Sequence, residues 1–270
     1  MHDLPLGRSV AYPDRYAPEV LVGIPRTEAR RALGVDGNLP FRGVDLWTAW
    51  ELTWLDDAGK PISAVADISV PAESISIVES KSLKLYLGSY AMHSFSSGAD
   101  VQARIEDDVR EIVGTPVDVR LSAADGTGRG FLPPSGDCID ALEVSCDRYD
   151  VDAGLLEIDR STIERQVALN SHQLRSLCPV TGQPDYATVL LRYSGPKIRL
   201  SGLLRYIVSY RQHQDFHEAC VERMFCDIME RCECSELAVT ARYTRRGGID
   251  INPHRSTNSD SPLGSRVWRQ

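Results

Sequence analysis

The octapeptide Leu83-Lys84-Leu85-Tyr86-Leu87-Gly88-Ser89-Tyr90 lines up without a gap on Leu203-Leu204-Arg205-Tyr206-Ile207-Val208-Ser209-Tyr210 at an offset of 120 residues, and His93 falls on His213 at the same offset. In a chain of 270 residues a repeat of that period points to two related modules, each of ordinary domain length, rather than one large unit. The alternation around the first copy says what a module contains. Leu46, Trp50, Leu52 and Trp54 occupy even positions; after the turn Asp57-Ala58-Gly59-Lys60-Pro61 the pattern resumes at Ile62, Ala64, Ala66, Ile68 and Val70, which predicts an antiparallel hairpin. Leu83, Leu87, Ala91 and Phe95 then fall four apart, and Val101, Ile105, Val109 and Ile112 share one face, so two amphipathic helices follow. Val117, Val119 and Leu121 return to period two, and a strand from Ile139 to Val144 would complete the order ββααββ.

The second half repeats the order. A strand from Thr188 to Tyr193 precedes the repeated octapeptide; a helix carrying Phe216, Cys220, Met224, Phe225, Ile228 and Cys232 follows it; Leu237, Val239, Ala241 and Tyr243 then alternate. The expected class is α+β, with each module an antiparallel sheet and two helices. The breakers in Gly126-Thr127-Gly128-Arg129-Gly130 and Leu132-Pro133-Pro134-Ser135-Gly136 place the linker between Arg129 and Asp152. The expected division is an extended arm over 1–40, a first module over 41–145, a second over 146–260 and a tail over 261–270.

Thirty-eight acids against 30 bases leave a net charge of -8, which argues against a surface built to hold nucleic acid and disfavours a tRNA-binding structural protein. Seven cysteines with irregular spacing, and an N-terminus without an apolar signal core, suggest a reducing, cytoplasmic setting. No run approaches the roughly 20 apolar residues of a membrane-crossing helix.

Four segments carry chemistry-bearing residues. In Cys178-Pro179-Val180-Thr181-Gly182-Gln183-Pro184-Asp185 a loop, read as joining a helical run to a strand, is framed by a cysteine and a carboxylate. Only a thiolate attacks, so Asp185 folded back toward Cys178 would serve as its base; the other reading is a buried cysteine in a turn. Phe216-His217-Glu218 sets an aromatic, an imidazole and a carboxylate at a helix start, or merely a solvated histidine beside a helix-start acid. In Val78-Glu79-Ser80-Lys81-Ser82, Glu79 can accept from the donor edge of a heterocycle, while Ser80, Lys81 and the helix N–H groups suit a phosphate; the alternative is plain capping by Ser80. Thr244-Arg245-Arg246-Gly247-Gly248 ends a strand with two guanidinium groups that match a phosphate, or is a solvated strand end. Gly126 to Gly130 lacks the spacing of a dinucleotide-binding loop. Cys220, Cys226, Cys232 and Cys234 with His213 and His217 lack the spacing of a zinc site, so no metal is expected; Trp47, Trp50 and Trp54 read as core or interface.

Taken in order, Glu79 to Tyr86, the Cys178 to Asp185 loop, Phe216-His217-Glu218 and Thr244-Arg245-Arg246-Gly247-Gly248-Ile249-Asp250-Ile251-Asn252-Pro253 resemble the NADPH-dependent 7-cyano-7-deazaguanine reductases, the QueF-type nitrile reductases, in their long two-module branch. The likeness runs from Leu6-Gly7-Arg8 to the C-terminal arm. It implies tandem tunnelling-fold modules in a homodimer, and reduction of the nitrile of 7-cyano-7-deazaguanine to an aminomethyl group, with two NADPH per turnover, on the route to queuosine in tRNA. It implies Cys178 as the nucleophile that forms a thioimide, Asp185 as base and proton donor, and His217 as an aid to proton transfer. Glu79 and Glu218 would bind the base, with Val78, Ser80 and Phe216 beside it; Ser80, Lys81, Arg246 and Gly247 would hold NADPH, and one site would draw on both modules. The rival expectations are a purine- or pterin-binding relative without reductase activity and a zinc cyclohydrolase.

Overall fold

The computed structural model describes residues 5, 7, 11–35, 37–126, 130–263 and 266–270; Leu6 and Arg8, where the family likeness begins, and Thr127 to Arg129, of the breaker run that opens the expected linker, lie outside the described residues. The chain forms two compact units, each gathered from three lengths of sequence. The first takes 1–28, 45–129 and 245–251; the second takes 29–44, 130–244 and 252–270. The elements of the first half are β1 (Gly23–Pro25), α1 (Thr27–Ala32), β2 (Arg42–Leu55), β3 (Pro61–Pro71), β4 (Ser76–Val78), α2 (Ser80–Gly88), α3 (Gly98–Val113) and β5 (Asp118–Ala123). Those of the second are β6 (Asp137–Cys138), β7 (Ile158–Leu177), β8 (Pro184–Ile198), α4 (Leu200–Ser209), α5 (His217–Cys232), β9 (Glu236–Tyr243) and β10 (Ile249–Ser256). The fold is α+β.

In the first unit β3 lies between β2 and β5, and β1 pairs with β4. Ala66, Ile68, Leu52 and Trp54 from the sheet bury against Leu83, Tyr86, Val101, Ile105 and Val109 from α2 and α3. The expected even-position pattern holds along β3 but not along β2. Asp45, Trp47 and Ala49 are buried, then Leu52 and Trp54, so the alternation changes phase at Trp50-Glu51. Trp50 is only half-buried, and its indole N–H donates to Asp250 at 2.6 Å. Helix α2 is shorter than its pattern suggests: it stops at Gly88, leaving Ala91 and Phe95 outside, and Phe95 stacks instead on Tyr90 at 5.1 Å. The arm expected over 1–40 carries β1 and α1.

In the second unit the order is β7, β8, α4, α5, β9, β10, with β9 between β8 and β10. Two expectations are corrected. The run before Cys178 is a 20-residue strand, not a helix: irregularities after Asp159, Glu164 and Ser171 interrupt the pairing, so its apolar residues never fall cleanly at every second position. Ile139 to Val144 is not a strand. Only Asp137–Cys138 is extended, pairing in parallel with Leu169 and Asn170, and the chain then turns through a Leu142 N–H to Ile139 O bond.

The repeat extends beyond the letters into hydrogen bonding. Tyr86 and Tyr90 share a hydroxyl bond at 2.5 Å and Tyr86 donates to Asp108 at 2.7 Å; Tyr206 and Tyr210 share one at 2.9 Å and Tyr206 donates to Asp227 at 2.6 Å. Ser89 and Ser209 each donate to the carbonyl of the tyrosine three residues earlier at 2.6 Å, and each accepts a backbone N–H, from Ala17 and Asp152. Asp108 and Asp227 lie 119 residues apart, one short of the offset, which is why an ungapped comparison misses them.

Candidate active site

The β7–β8 hairpin builds the end of the second unit that carries Cys178 and Asp185. Its register closes with Ser176 opposite Asp185 and Leu177 opposite Pro184, so the loop is Cys178 to Gln183. Cys178 N–H donates to Gln183 O and Gly182 N–H to Cys178 O, both at 2.9 Å. Gly182 has φ +67°, a left-handed conformation that a side chain disfavours. The Cys178 thiol is buried, 6% exposed. Asp185 is one residue into β8, buried at 4%.

The segment before α5 is laid along the same hairpin end: Leu177 N–H donates to His213 O at 2.8 Å, and Asp215 N–H to Leu177 O at 3.2 Å. That delivers the first residue of α5. His217 Nε2 comes within 3.4 Å of Asp185 Oδ2, while its ring stacks on Tyr243 with centroids 3.6 Å apart and planes 5° from parallel. Tyr243 is placed by its pairing with Ala187 across β8 and β9. His217 Nδ1 has no hydrogen-bond partner among the described residues. Beneath lie Cys220 and Tyr243, both fully buried, and burial pushes the thiol and the phenol above their ordinary ranges. They stay protonated and neutral. Glu218 is buried at the same helix start, and Phe216 is the N-terminal flanking residue of α5, its N–H bonded to Asp215 at 2.8 Å. One turn on, Glu222 accepts from Arg30 and Arg255, both at 2.8 Å, a buried charge with two cations to hold it.

In the first unit, Val78 ends β4 opposite Gly23 and leads into α2. Glu79, not Ser80, caps that helix: Oε1 accepts from Lys81 N–H at 2.9 Å and Oε2 from Ser82 N–H at 2.8 Å. Two of the N–H groups expected to face a phosphate are therefore bonded to Glu79. Burial raises the Glu79 carboxyl above the usual carboxylate range, and the two N–H groups oppose that rise. Each carboxylate oxygen keeps a second lone pair for another donor.

Arg246, Gly247, Gly248 and Ile249 form a tight hairpin turn, not a strand end. Arg246 N–H donates to Ile249 O at 2.8 Å, and Gly247 and Gly248 have φ +60° and +83°, as a type I′ turn demands. A Cβ on Gly247 would lie 2.8 Å from Lys84 Nζ, and one on Gly248 2.8 Å from Glu51 Oε2, so the backbone is open where a side chain would intrude. The Arg245 guanidinium lies 4.3 Å from the Trp50 ring centroid. Lys84, Arg245 and Arg246 around bare backbone fit the phosphates of a dinucleotide.

The structure thus gathers Cys178, Asp185, Phe216, His217 and Glu218 at one end of the second unit. Within the first it places Lys84 and Trp50 at the Arg246-Gly247 turn. Sequence reasoning missed the positions of Lys84 and Tyr243. Lys84 read only as part of the repeated octapeptide, and Tyr243 read as one more apolar residue of an alternating strand.

Two family models match successive parts of the chain: one described as nitrile reductase, 7-cyano-7-deazaguanine-reductase N-term, over residues 12–121, and one described as QueF-like protein over residues 184–262. The class is that of the nitrile reductases. A protein of Azoarcus sp. (strain BH72) is 50% identical over 258 residues, covering 95% of this chain and 91% of its own. Proteins of Dechloromonas aromatica (48% identical; 100% and 96% covered) and Saccharophagus degradans (46%; 100% and 100%) are similar in the same way, and all three are named NADPH-dependent 7-cyano-7-deazaguanine reductase. At that identity and coverage the chain belongs to the family of NADPH-dependent 7-cyano-7-deazaguanine reductases, and it is an oxidoreductase.

Proposed function

We propose that this enzyme reduces the nitrile of 7-cyano-7-deazaguanine to an aminomethyl group through a covalent thioimide on Cys178. The observation that carries the reading is the Asp185–His217 pair, at 3.4 Å, on the hairpin that holds the buried Cys178 loop. Asp185 takes the thiol proton as the Cys178 sulfur bonds to the nitrile carbon, and returns it to the nitrile nitrogen, leaving Cys178–S–C(=NH)– with no proton gained or lost overall. NADPH, when bound, supplies hydride, and going from nitrile to primary amine takes four electrons, hence two NADPH per turnover. After the first reduction the C–S bond breaks, the sulfur leaves as thiolate, and the resulting imine is what the second reduction consumes.

His217 keeps Asp185 in place and passes protons to it, its ring fixed on Tyr243. Glu79 and Glu218 accept from the N–H edge of the deazaguanine, with Val78, Ser80 and Phe216 beside the ring. Ser80, Lys81, Arg246 and Gly247, joined by Lys84 and Arg245, hold the cofactor phosphates. We read each unit as a tunnelling-fold module, a reading supported by the β7-β8-α4-α5-β9-β10 order and the duplicated tyrosine–aspartate bonds, and the chain as a homodimer working in the cytoplasm on the route to queuosine in tRNA. Among the described residues no helix is long and apolar enough to cross a membrane.

The test is intact-protein mass spectrometry with the nitrile and no NADPH. One substrate mass is expected, located on Cys178 by peptide mapping; an unmodified protein, or a Cys178→Ala variant that still oxidises NADPH with the nitrile, overturns the covalent route.

A further inference from the structure

Away from these residues, in the second unit, Cys138, Asp140 and His172 bring a sulfur, a carboxylate oxygen and a ring nitrogen within 4.8 Å of one another. We propose that they bind a zinc-class divalent cation, with water completing a four-coordinate shell, and that this ion fastens the Cys138–Asp140 stretch of the linker onto β7. Cysteine, histidine and aspartate are the donor set zinc prefers, with bonds of about 2.0 to 2.3 Å. Pairs of donors around such an ion stand roughly 3.3 to 3.8 Å apart, so closure by about 1 Å completes the site. Cys138 is exposed and sits on a two-residue strand, which leaves it room to make that move.

The surroundings already hold each donor. His172 Nδ1 is paired with Thr188 Oγ1 at 2.9 Å, which leaves Nε2 as the ligating atom, the arrangement found behind most metal-bound histidines. Asp140 is oriented by Ser171 Oγ on Oδ1 at 2.6 Å and by the His172 N–H on Oδ2 at 2.9 Å. Ile139, between the Cys138 and Asp140 ligands, is tied to β7 by its N–H to Asn170 O at 3.0 Å. Those bonds by themselves would serve to hold the bulge after Ser171; they do not account for a thiol brought to the same point. Arg269 is bonded to the His172 carbonyl at 2.9 Å, so a cation already stands nearby and a dication needs the thiolate as well as the carboxylate. The Cys138 proton is released to solvent on binding, and affinity rises with pH.

The experiment uses full-length, tag-free, chelator-treated protein in a Cys178→Ala background, which removes the catalytic thiol as a competing ligand, and titrates it with Co2+ as a visible stand-in for zinc. About one Co2+ per chain, with a thiolate-to-cobalt charge-transfer band, is expected. Cys138→Ser removes the band, and Thr188→Val weakens binding roughly 10-fold while keeping it. No Co2+ binding at micromolar metal, or a band that survives in Cys138→Ser, overturns the proposal.

Discussion

The β2–β3 and β7–β8 hairpins meet the chain beyond their helices in the same way and end differently. Leu55 N–H donates to His93 O at 2.9 Å, and Leu177 N–H to His213 O at 2.8 Å. Past those bonds the first hairpin closes on Asp56, whose Oδ1 accepts from Ala58 and Lys60 N–H at an exposed turn, whereas the second buries a thiol. At the following helix the difference runs the other way. Glu79 caps α2 with its side chain, while its counterpart Arg199 makes no side-chain cap for α4. One scaffold has been used twice, with the buried cysteine loop in one copy and the side-chain-capped helix start in the other. A duplicated fold can divide its chemistry because the tyrosine–aspartate bonds that hold each copy do not involve the divided positions.

The sharpest way to break that comparison is at the hairpin tips. Cys178→Ala is expected to lower nitrile-dependent NADPH oxidation to background, while Asp56→Ala at the other tip leaves it unchanged. Next in size is Asp185→Asn, with a loss of about 10²- to 10⁴-fold in kcat and little change in the unfolding midpoint. At the helix starts, Glu79→Ala is expected to cost about 1 kcal/mol in urea unfolding and to raise KM for the nitrile, while Arg199→Ala costs less than about 0.5 kcal/mol. Tyr86→Phe and Tyr206→Phe each strip a donor from a half-buried aspartate and should destabilise by similar amounts, about 0.5 to 1.5 kcal/mol; a large inequality would mean that the two scaffolds are not equivalent.

The smallest effect is one of pH. Burial, helped by the Arg255 charge, lowers His254 from its ordinary 6.5 to about 4, and its Nδ1 is paired with Thr240 at 2.8 Å. The unfolded chain takes up that proton first, so the stability tied to neutral His254 is full above about 6.5 and is lost as pH falls toward 4. His254→Gln is expected to flatten the unfolding midpoint across that window, measured by thermal melts.

Much of this was legible in the letters. The β3 alternation, the α3 stripe from Val101 to Val109 and the buried face of α5 from Cys220 to Cys232 follow from residue spacing, because burial on one face imposes its period. The four candidate segments stood out in the letters too, since cysteine, carboxylate, imidazole and guanidinium groups carry their chemistry with them. What escaped was set by neighbours remote in sequence. β7 read as helical because its bulges depend on β8; Glu79 displaced Ser80 as the cap because its rotamer reaches back over the helix start; and Tyr243 became a support for His217 only through cross-strand pairing.

The exchange of segments between the units bears on how the chain is made. The first unit includes residues 245–251, with the Arg246-Gly247 turn and Asp250, while the second borrows 29–44 and with it Arg30, which bonds Glu222. Domains usually fold in the order of their synthesis. Here the first unit must wait on the ribosome, incomplete, until almost the whole message has been read, and it finishes at nearly the same moment as the second. A translation stall or a nonsense codon after Thr244 would therefore leave neither unit whole.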